Sequence, residues 1–160
     1  MTPDEWLNLF FNPQLLERFG PRFIDGLLVT GKLVVMSFTL GMLLGLVIAL
    51  GRLSDHRLLR GLSGVYVYFF RGSPLLAQLF MLYYGLGSFK HFWESAGLWW
   101  FFRDAWYCTL LAFTLNTAAY QAEILRGALM AVAQGQREAA KVLSLPRRIT
   151  LFKVIMPQSL

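Results

Sequence analysis

Acidic residues are scarce in this sequence of 160 residues, nine Asp and Glu against fifteen Lys and Arg, and histidine occurs twice and cysteine once. With Cys108 as the sole thiol, no internal disulfide framework and no cysteine-rich metal site can be assembled. His56 and His91 stand apart in loop stretches, so no histidine-rich metal cluster is expected, no cofactor is implied, and no set of nucleophile, base and orienting partner stands out. Charge of either sign is thin, 15% of the residues against about 25% in soluble domains. Hydrophobic residues make up 56% and aromatic ones 16%, which leaves too little polar surface to face water. The net charge of +6 would raise nucleic-acid binding in a soluble protein. Here the basic residues fall into two loops flanking apolar segments, the pattern of membrane topology, and nucleic acid is not expected as a partner.

A helix needs about 20 mostly apolar residues to cross the hydrocarbon core. Gly26 to Leu50, interrupted only by Lys32, meets that requirement, and Val65 to Leu86 and Ala105 to Leu125 have suitable length with some polar side chains. Asp4, Glu5 and Glu17 precede the first apolar run, where a cleaved signal peptide would have a basic start, so the first span is expected to be a retained anchor. Cytoplasmic loops are enriched in Lys and Arg. Arg52, Arg57, Arg60 and Arg71 face Asp55 alone after the first span, and Arg126, Arg137, Lys141, Arg147, Arg148 and Lys153 face Glu138 after the third. Both stretches are therefore expected inside and the N-terminus outside. Trp93, Trp99, Trp100 and Trp106 crowd the outer connection, as in an interfacial aromatic belt, with ligand contact as the alternative.

Gly26, Gly31 and Lys32 match the start of a phosphate-binding loop, but Leu33 stands where Ser or Thr should hold magnesium and no strand precedes. The match reads as coincidence, with Lys32 reaching toward the outer interface. Ser37, Gly41, Gly45 and Ala49 recur at every fourth position and form a flat ridge for a neighbouring helix, from this chain or another. Thr109, Asn116, Tyr120 and Glu123 share one face of the third span. That stripe reads as a solute pathway or, equally, as interhelical hydrogen bonding with a Glu123–Arg126 pair at the cytoplasmic boundary.

After the third span, helical patterns over Glu123 to Val132 and Gln136 to Leu143 are separated around Gly135 and closed by Pro146, with an apolar helix starting near Ile149. The short element suits docking to a partner or lying on the membrane surface. The run Glu138, Ala139, Ala140, on through Ser144 to Ile155 and Pro157, resembles the Glu-Ala-Ala loop of ABC-importer permeases. FFRGSPLLAQLFMLYYGL (Phe69 to Leu86) and NTAAYQAEILRGAL (Asn116 to Leu129) are similar to segments of its polar amino-acid branch, which serves histidine, arginine, glutamine and opines.

This resemblance implies an all-α, polytopic transmembrane helix bundle of the type I importer kind: three spans, a cytoplasmic coupling helix in a loop over residues 126–157, and the start of a fourth span. It implies an inner-membrane permease that does not hydrolyse ATP itself. Its partners would be an ATP-binding cassette ATPase, an external solute-binding protein, a second permease subunit and the lipid bilayer. Glu138, Ala139, Ala140 and Ser144 would couple to the ATPase. Gln78, Asn116 and Tyr120, able to hydrogen-bond a zwitterion, are the candidates for the solute path. Arg71 is read as a structural anchor for the cytoplasmic end of the second span. Two positions depart from the pattern: Ser144 replaces glycine, at a cost of about 1 kcal/mol if the backbone there is left-handed, and Ala133 replaces proline. Two further spans are implied beyond Pro157, so a chain ending at Leu160 resembles a shortened copy. A non-transporting remnant and a fragment of a secondary transporter are the rival readings.

Overall fold

A computed structural model describes residues 13–146 and 149–159, and the expectations placed on Asp4, Glu5, Arg147, Arg148 and Leu160 lie outside them. Among the described residues the secondary structure is helical, with no strand. Contacts group into two compact units, Met1–Met36 and Ser37–Leu160. The first helix, α1 (Pro13–Arg52), runs through both. It is the one described helix that is long and apolar enough to cross a membrane unaided. In the first unit its side chains Phe23, Leu27 and Leu28 are exposed, as suits a lipid-facing surface. The Gly26-to-Lys32 run lies within this helix, and the Thr30 hydroxyl donates to the Gly26 carbonyl at 2.8 Å. A helical backbone offers no phosphate cradle, so the loop-like spacing is a coincidence of composition.

In the second unit the small-residue ridge meets α6 (Ala105–Ala131), the helix of the expected third span. A Cβ added to Gly41 would stand 2.9 Å from Thr117 Cβ, and one added to Gly45 would stand 2.9 Å from Gln121 Cβ and 3.0 Å from the Ala118 carbonyl. Ser37 and Ala49 on the same ridge are buried. Glycine is needed here for close approach: two helical backbones meet where side chains would hold them apart. The partner helix therefore belongs to this same chain. Asp104 caps α6, its carboxylate accepting from the Trp106 backbone N–H at 2.9 Å, which fixes the start where the sequence places it.

The segment expected as one second span, Val65 to Leu86, is two helices. α2 (Arg57–Gly72) stops at Ser73, and α3 (Leu75–Phe80) continues as a π-helical turn (Met81–Gly85) and a 3-10 turn (Leu86–Ser88), bent by 107° from α2. The cause is Pro74. Proline biases its predecessor toward extended backbone, and Ser73 adopts φ −113°, ψ 145°. Proline also lacks an N–H, so the Phe70 carbonyl loses its helical donor.

Between α3 and α6 the connection carries α4 (Lys90–Ser95) and α5 (Trp99–Phe102). Trp93 stacks on Phe102 with ring centroids 4.0 Å apart and donates its indole N–H to the Leu86 carbonyl at 2.7 Å, so this ring packs within the chain. Trp100 is exposed. After α6 comes α7 (Gln134–Val142), then a π-helical turn (Thr150–Ile155) and α8 (Met156–Ser159). The break before α7 falls at Val132 and Ala133, not at the expected Gly135, because both residues take polyproline-like backbone (φ −62°, ψ 126° and φ −50°, ψ 135°).

Candidate functional site

The Phe70 carbonyl, left without its helical donor by Pro74, organises the middle of the second unit. Gln78 Nε2 donates to it at 2.9 Å, and Asn116 Nδ2, from α6, donates at 3.2 Å. Gln78 Nε2 also approaches the Ser73 carbonyl at 3.0 Å and Ser73 Oγ at 2.8 Å, while its Oε1 accepts from Asn116 Nδ2 at 3.1 Å. Ser73 Oγ in turn donates to the Phe69 carbonyl at 2.7 Å. Side-chain amides thus replace the backbone donor that Pro74 cannot supply. Gln78 is only 2% exposed. Of the three residues expected in a solute path, Gln78 and Asn116 commit their amides to this bend, whereas Tyr120 is 46% exposed.

Tyr120 lines a cavity of about 750 Å³ with Arg52, Val67, Tyr68, Arg71, Ser73 and Glu123. The Arg71 guanidinium lies 5.4 Å from the centre of the Tyr120 ring, within cation–π range. Glu123 is clasped from two sides. Arg52, at the end of α1, donates to its Oε2 at 3.0 Å, and Arg126 donates to its Oε1 through Nε at 3.1 Å and also through Nη2. The sequence-expected Glu123–Arg126 pair is present, and Arg52 joins it from 71 residues away. Thr109, expected on the same stripe, turns its hydroxyl back to the Ala105 carbonyl at 2.7 Å. Three guanidinium groups against one carboxylate leave this region positively charged.

Arg52 and Arg71 enter the site although sequence reasoning gave them only topological roles. Nothing in the spacing pairs Arg52 with Glu123. The signal for Arg71 was its place just before Gly-Ser-Pro, where a broken helix turns its last residues into a cavity.

α7 carries Glu138, Ala139 and Ala140. Ala140 is 3% exposed, while Glu138 and Ala139 are exposed, and Glu138 Oε1 accepts from Gln134 Nε2 at 2.8 Å. Val142 and Leu143 are 84% and 70% exposed, an apolar tip uncovered among the described residues. The helix ends in a Schellman turn: Ser144 N–H donates to the Lys141 carbonyl at 2.9 Å and Leu145 N–H to the Ala140 carbonyl at 3.0 Å. Ser144 sits at φ 52°, the left-handed conformation for which the glycine of the resembled pattern is suited. Met130, Val132, Gln134, Glu138 and Lys141 border a cleft of about 330 Å³ at the base of α7.

Packed apolar helices, an open cavity lined by arginines, Glu123 and aromatic rings, and a short exposed helix beyond α6 thus occur together in this chain. Residues 41–160 match the family described as Binding-protein-dependent transport system inner membrane component, and the chain belongs to that family of inner-membrane proteins. It is similar to the nopaline transport system permease protein of Agrobacterium fabrum, with 37% identity covering 90% of this chain and 60% of that protein. The octopine transport system permease protein of Rhizobium meliloti is 39% identical over 94% of this chain and 61% of its own length. The histidine/lysine/arginine/ornithine transport system permease protein of Salmonella typhimurium is 36% identical, covering 91% and 62%. Among solved structures, an amino acid ABC transporter crystallised with histidines superposes with a TM-score of 0.75 at 34% identity, covering 90% of this chain and 63% of that one. The chain thus spans about three-fifths of the length of these relatives.

Proposed function

We propose that this chain contributes the membrane path and the coupling element of an ATP-driven importer for polar amino acids or opines. The observation that carries this is α7: a short helix just beyond α6, with Glu138, Ala139 and the apolar pair Val142 and Leu143 exposed for a partner. ATP hydrolysis belongs to a separate cassette subunit seated on that helix, with Glu138, Ala139, Ala140 and Ser144 at the contact. A solute-binding protein delivers the solute from outside, and a second permease subunit completes the path. Spans near residues 26–50, 65–86 and 105–125 and a loop over 126–157 make up this permease domain, with the second span broken at Pro74. The end of α1 meets α6 at the Arg52–Glu123 pair, and the basic stretches that follow both helices support an outside N-terminus. Relatives named for nopaline, octopine and basic amino acids support the solute class. Uptake of a panel of radiolabelled amino acids and opines, with wild-type chain and with Glu138→Lys in the assembled transporter, tests the reading. Uptake abolished by Glu138→Lys, with the protein still in the membrane, is expected. Uptake that survives the charge reversal refutes coupling through α7.

A further inference from the structure

Near the Ala105 end of α6, the turns that follow α3 meet α5, and Tyr83, Tyr84, Ser88, Trp99, Phe102 and Arg103 line a cleft of about 370 Å³. It shares no residue with the cavity at Tyr120. π-helical turns are frequent at functional sites, and this one sets the Tyr83 and Tyr84 rings side by side, 4.9 Å apart. The walls are mainly aromatic, and the single charge on them is the Arg103 guanidinium. Among the described residues its fork makes no ion pair and no hydrogen bond. Of the acids close in sequence, Glu94 pairs with Lys90 at 3.6 Å, and Asp104 caps the Trp106 N–H. The Tyr83 and Tyr84 hydroxyls and the Trp99 indole N–H likewise have no hydrogen-bond partner among the described residues. Each of these groups can donate, and no lining side chain is a carboxylate. Lys90 adds a second cation 5.8 Å from the Trp99 ring. Leu76, Phe80 and Tyr84 follow at four-residue spacing, all exposed, with the Phe80 and Tyr84 rings 5.8 Å apart, so an apolar track leads along α3 into the cleft.

We infer that this cleft holds the phosphodiester of a bilayer phospholipid, with Arg103 binding the phosphate, Tyr83, Tyr84 and Trp99 as further donors, and one acyl chain laid along Phe80 and Leu76. Charge complementarity selects this occupant. A guanidinium fork matches phosphate oxygens in pairs, and amphipathic rings favour the headgroup layer, where phosphates lie. A second polypeptide could cover the apolar track, but it would leave Arg103 unpaired unless it brought an acid to the same level; the membrane supplies an anion there without any such match. The bound lipid would tie the π-helical turn to α5 through one headgroup.

The test is native mass spectrometry of the full chain in uncharged detergent, titrated with dioleoyl phosphatidylglycerol and with dioleoylglycerol, a twin that has the same tails and no phosphate. The phospholipid should bind the wild-type chain saturably and more tightly than the twin. Arg103→Gln should raise its Kd roughly tenfold to a hundredfold through loss of a charge-assisted pair, and Arg103→Lys should cost less, since lysine keeps the charge but not the fork. The twin should be indifferent to Arg103→Gln. Arg57→Gln, which removes an exposed charge at the start of α2 outside the cleft, should leave the Kd within about twofold, as a screened surface charge does. Equal wild-type affinity for phospholipid and twin overturns the proposal, and that comparison needs no variant to fold. So does an Arg57→Gln effect as large as that of Arg103→Gln, which reduces the binding to diffuse attraction. Displacement of the phospholipid by an equal concentration of inorganic phosphate assigns the cleft to a soluble anion and overturns the lipid reading. A two-chain species that excludes phospholipid and disappears in Arg103→Gln assigns the face to a second copy, with the same result.

Discussion

Replacing Gln78 with leucine keeps the side-chain volume close and removes every hydrogen bond that the Gln78 amide makes at the bend beside Pro74. The side chain is 2% exposed, so water cannot substitute. Three consequences follow from the bonding pattern. The Ser73 carbonyl loses its amide donor, and Asn116 Nδ2 loses Gln78 Oε1 as an acceptor. The Phe70 carbonyl keeps only Asn116, at 3.2 Å. Two buried groups are left short, at about 1–3 kcal/mol each in a protein interior. Hydrogen bonds between membrane helices measure lower, about 0.6–1.7 kcal/mol. Together these give an expected loss of about 2–4 kcal/mol for Gln78→Leu. Gln78→Glu should cost more, because a carboxylate would face the Phe70 and Ser73 carbonyls without hydrogens to offer. The assay is unfolding of the purified chain in dodecyl maltoside micelles titrated with sodium dodecyl sulfate, followed by circular dichroism, with hydrogen exchange read over residues 70–78. A loss below about 0.5 kcal/mol for Gln78→Leu, or exchange unchanged at the bend, would show that the amide network does not hold the break and that Pro74 alone sets it.

Ser144→Gly should stabilise α7 by about 1 kcal/mol, because the left-handed backbone at φ 52° is disfavoured for serine and free for glycine; slower exchange of the Ser144 and Leu145 amides is the check, and unchanged exchange counts against strain at this turn. Ala133→Pro should add about 0.4–1 kcal/mol, since φ is −50° there and Val132 before it is already extended; a lower unfolding midpoint would refute the fit. Gly45→Ala should destabilise by about 1–3 kcal/mol through contact with the α6 backbone, whereas Gly31→Ala, with nothing within 4 Å, should be neutral or mildly stabilising; equal effects in the same micelle titration would mean that the ridge does not carry close packing.

The helical class, the start of α6 at Ala105 and the short helix that follows it were legible because each has a local cause, whereas α1 and α2 begin at Pro13 and Arg57, before the expected Gly26 and Val65. Apolar length marks α1, Asp104 caps α6, and the four-residue spacing of Ser37, Gly41, Gly45 and Ala49 marks a packed seam. What stayed hidden depends on atoms brought together from afar. Ser73-Pro74 sits inside an apolar run of span length, and length alone reads it as continuous; only the replacement of the missing donor by Gln78 and Asn116 makes a bend of 107° tenable in an apolar setting. The same distance effect joins Gln78 and Asn116, candidates for the solute path, as hydrogen-bond partners of a broken helix. It also brought Arg52 to Glu123, a pairing with no trace in sequence spacing.

α6 joins these features mechanically. Along one continuous helix it carries Asn116 at the bend, Tyr120 at the cavity wall, Glu123 and Arg126 in the clasp, and then, two residues past its end, α7. From Glu123 to Ala131 is about 12 Å at the helical rise of 1.5 Å per residue, with no proline or other break between. A force applied to α7 therefore reaches the clasp before it reaches the bend or the glycine seam. The seam is backbone against side chain and resists sliding, whereas the clasp consists of two ion pairs with side chains about a quarter exposed, the contacts on this path that water can most readily replace. Displacement of α7 should accordingly change the Arg52–Glu123 contact first.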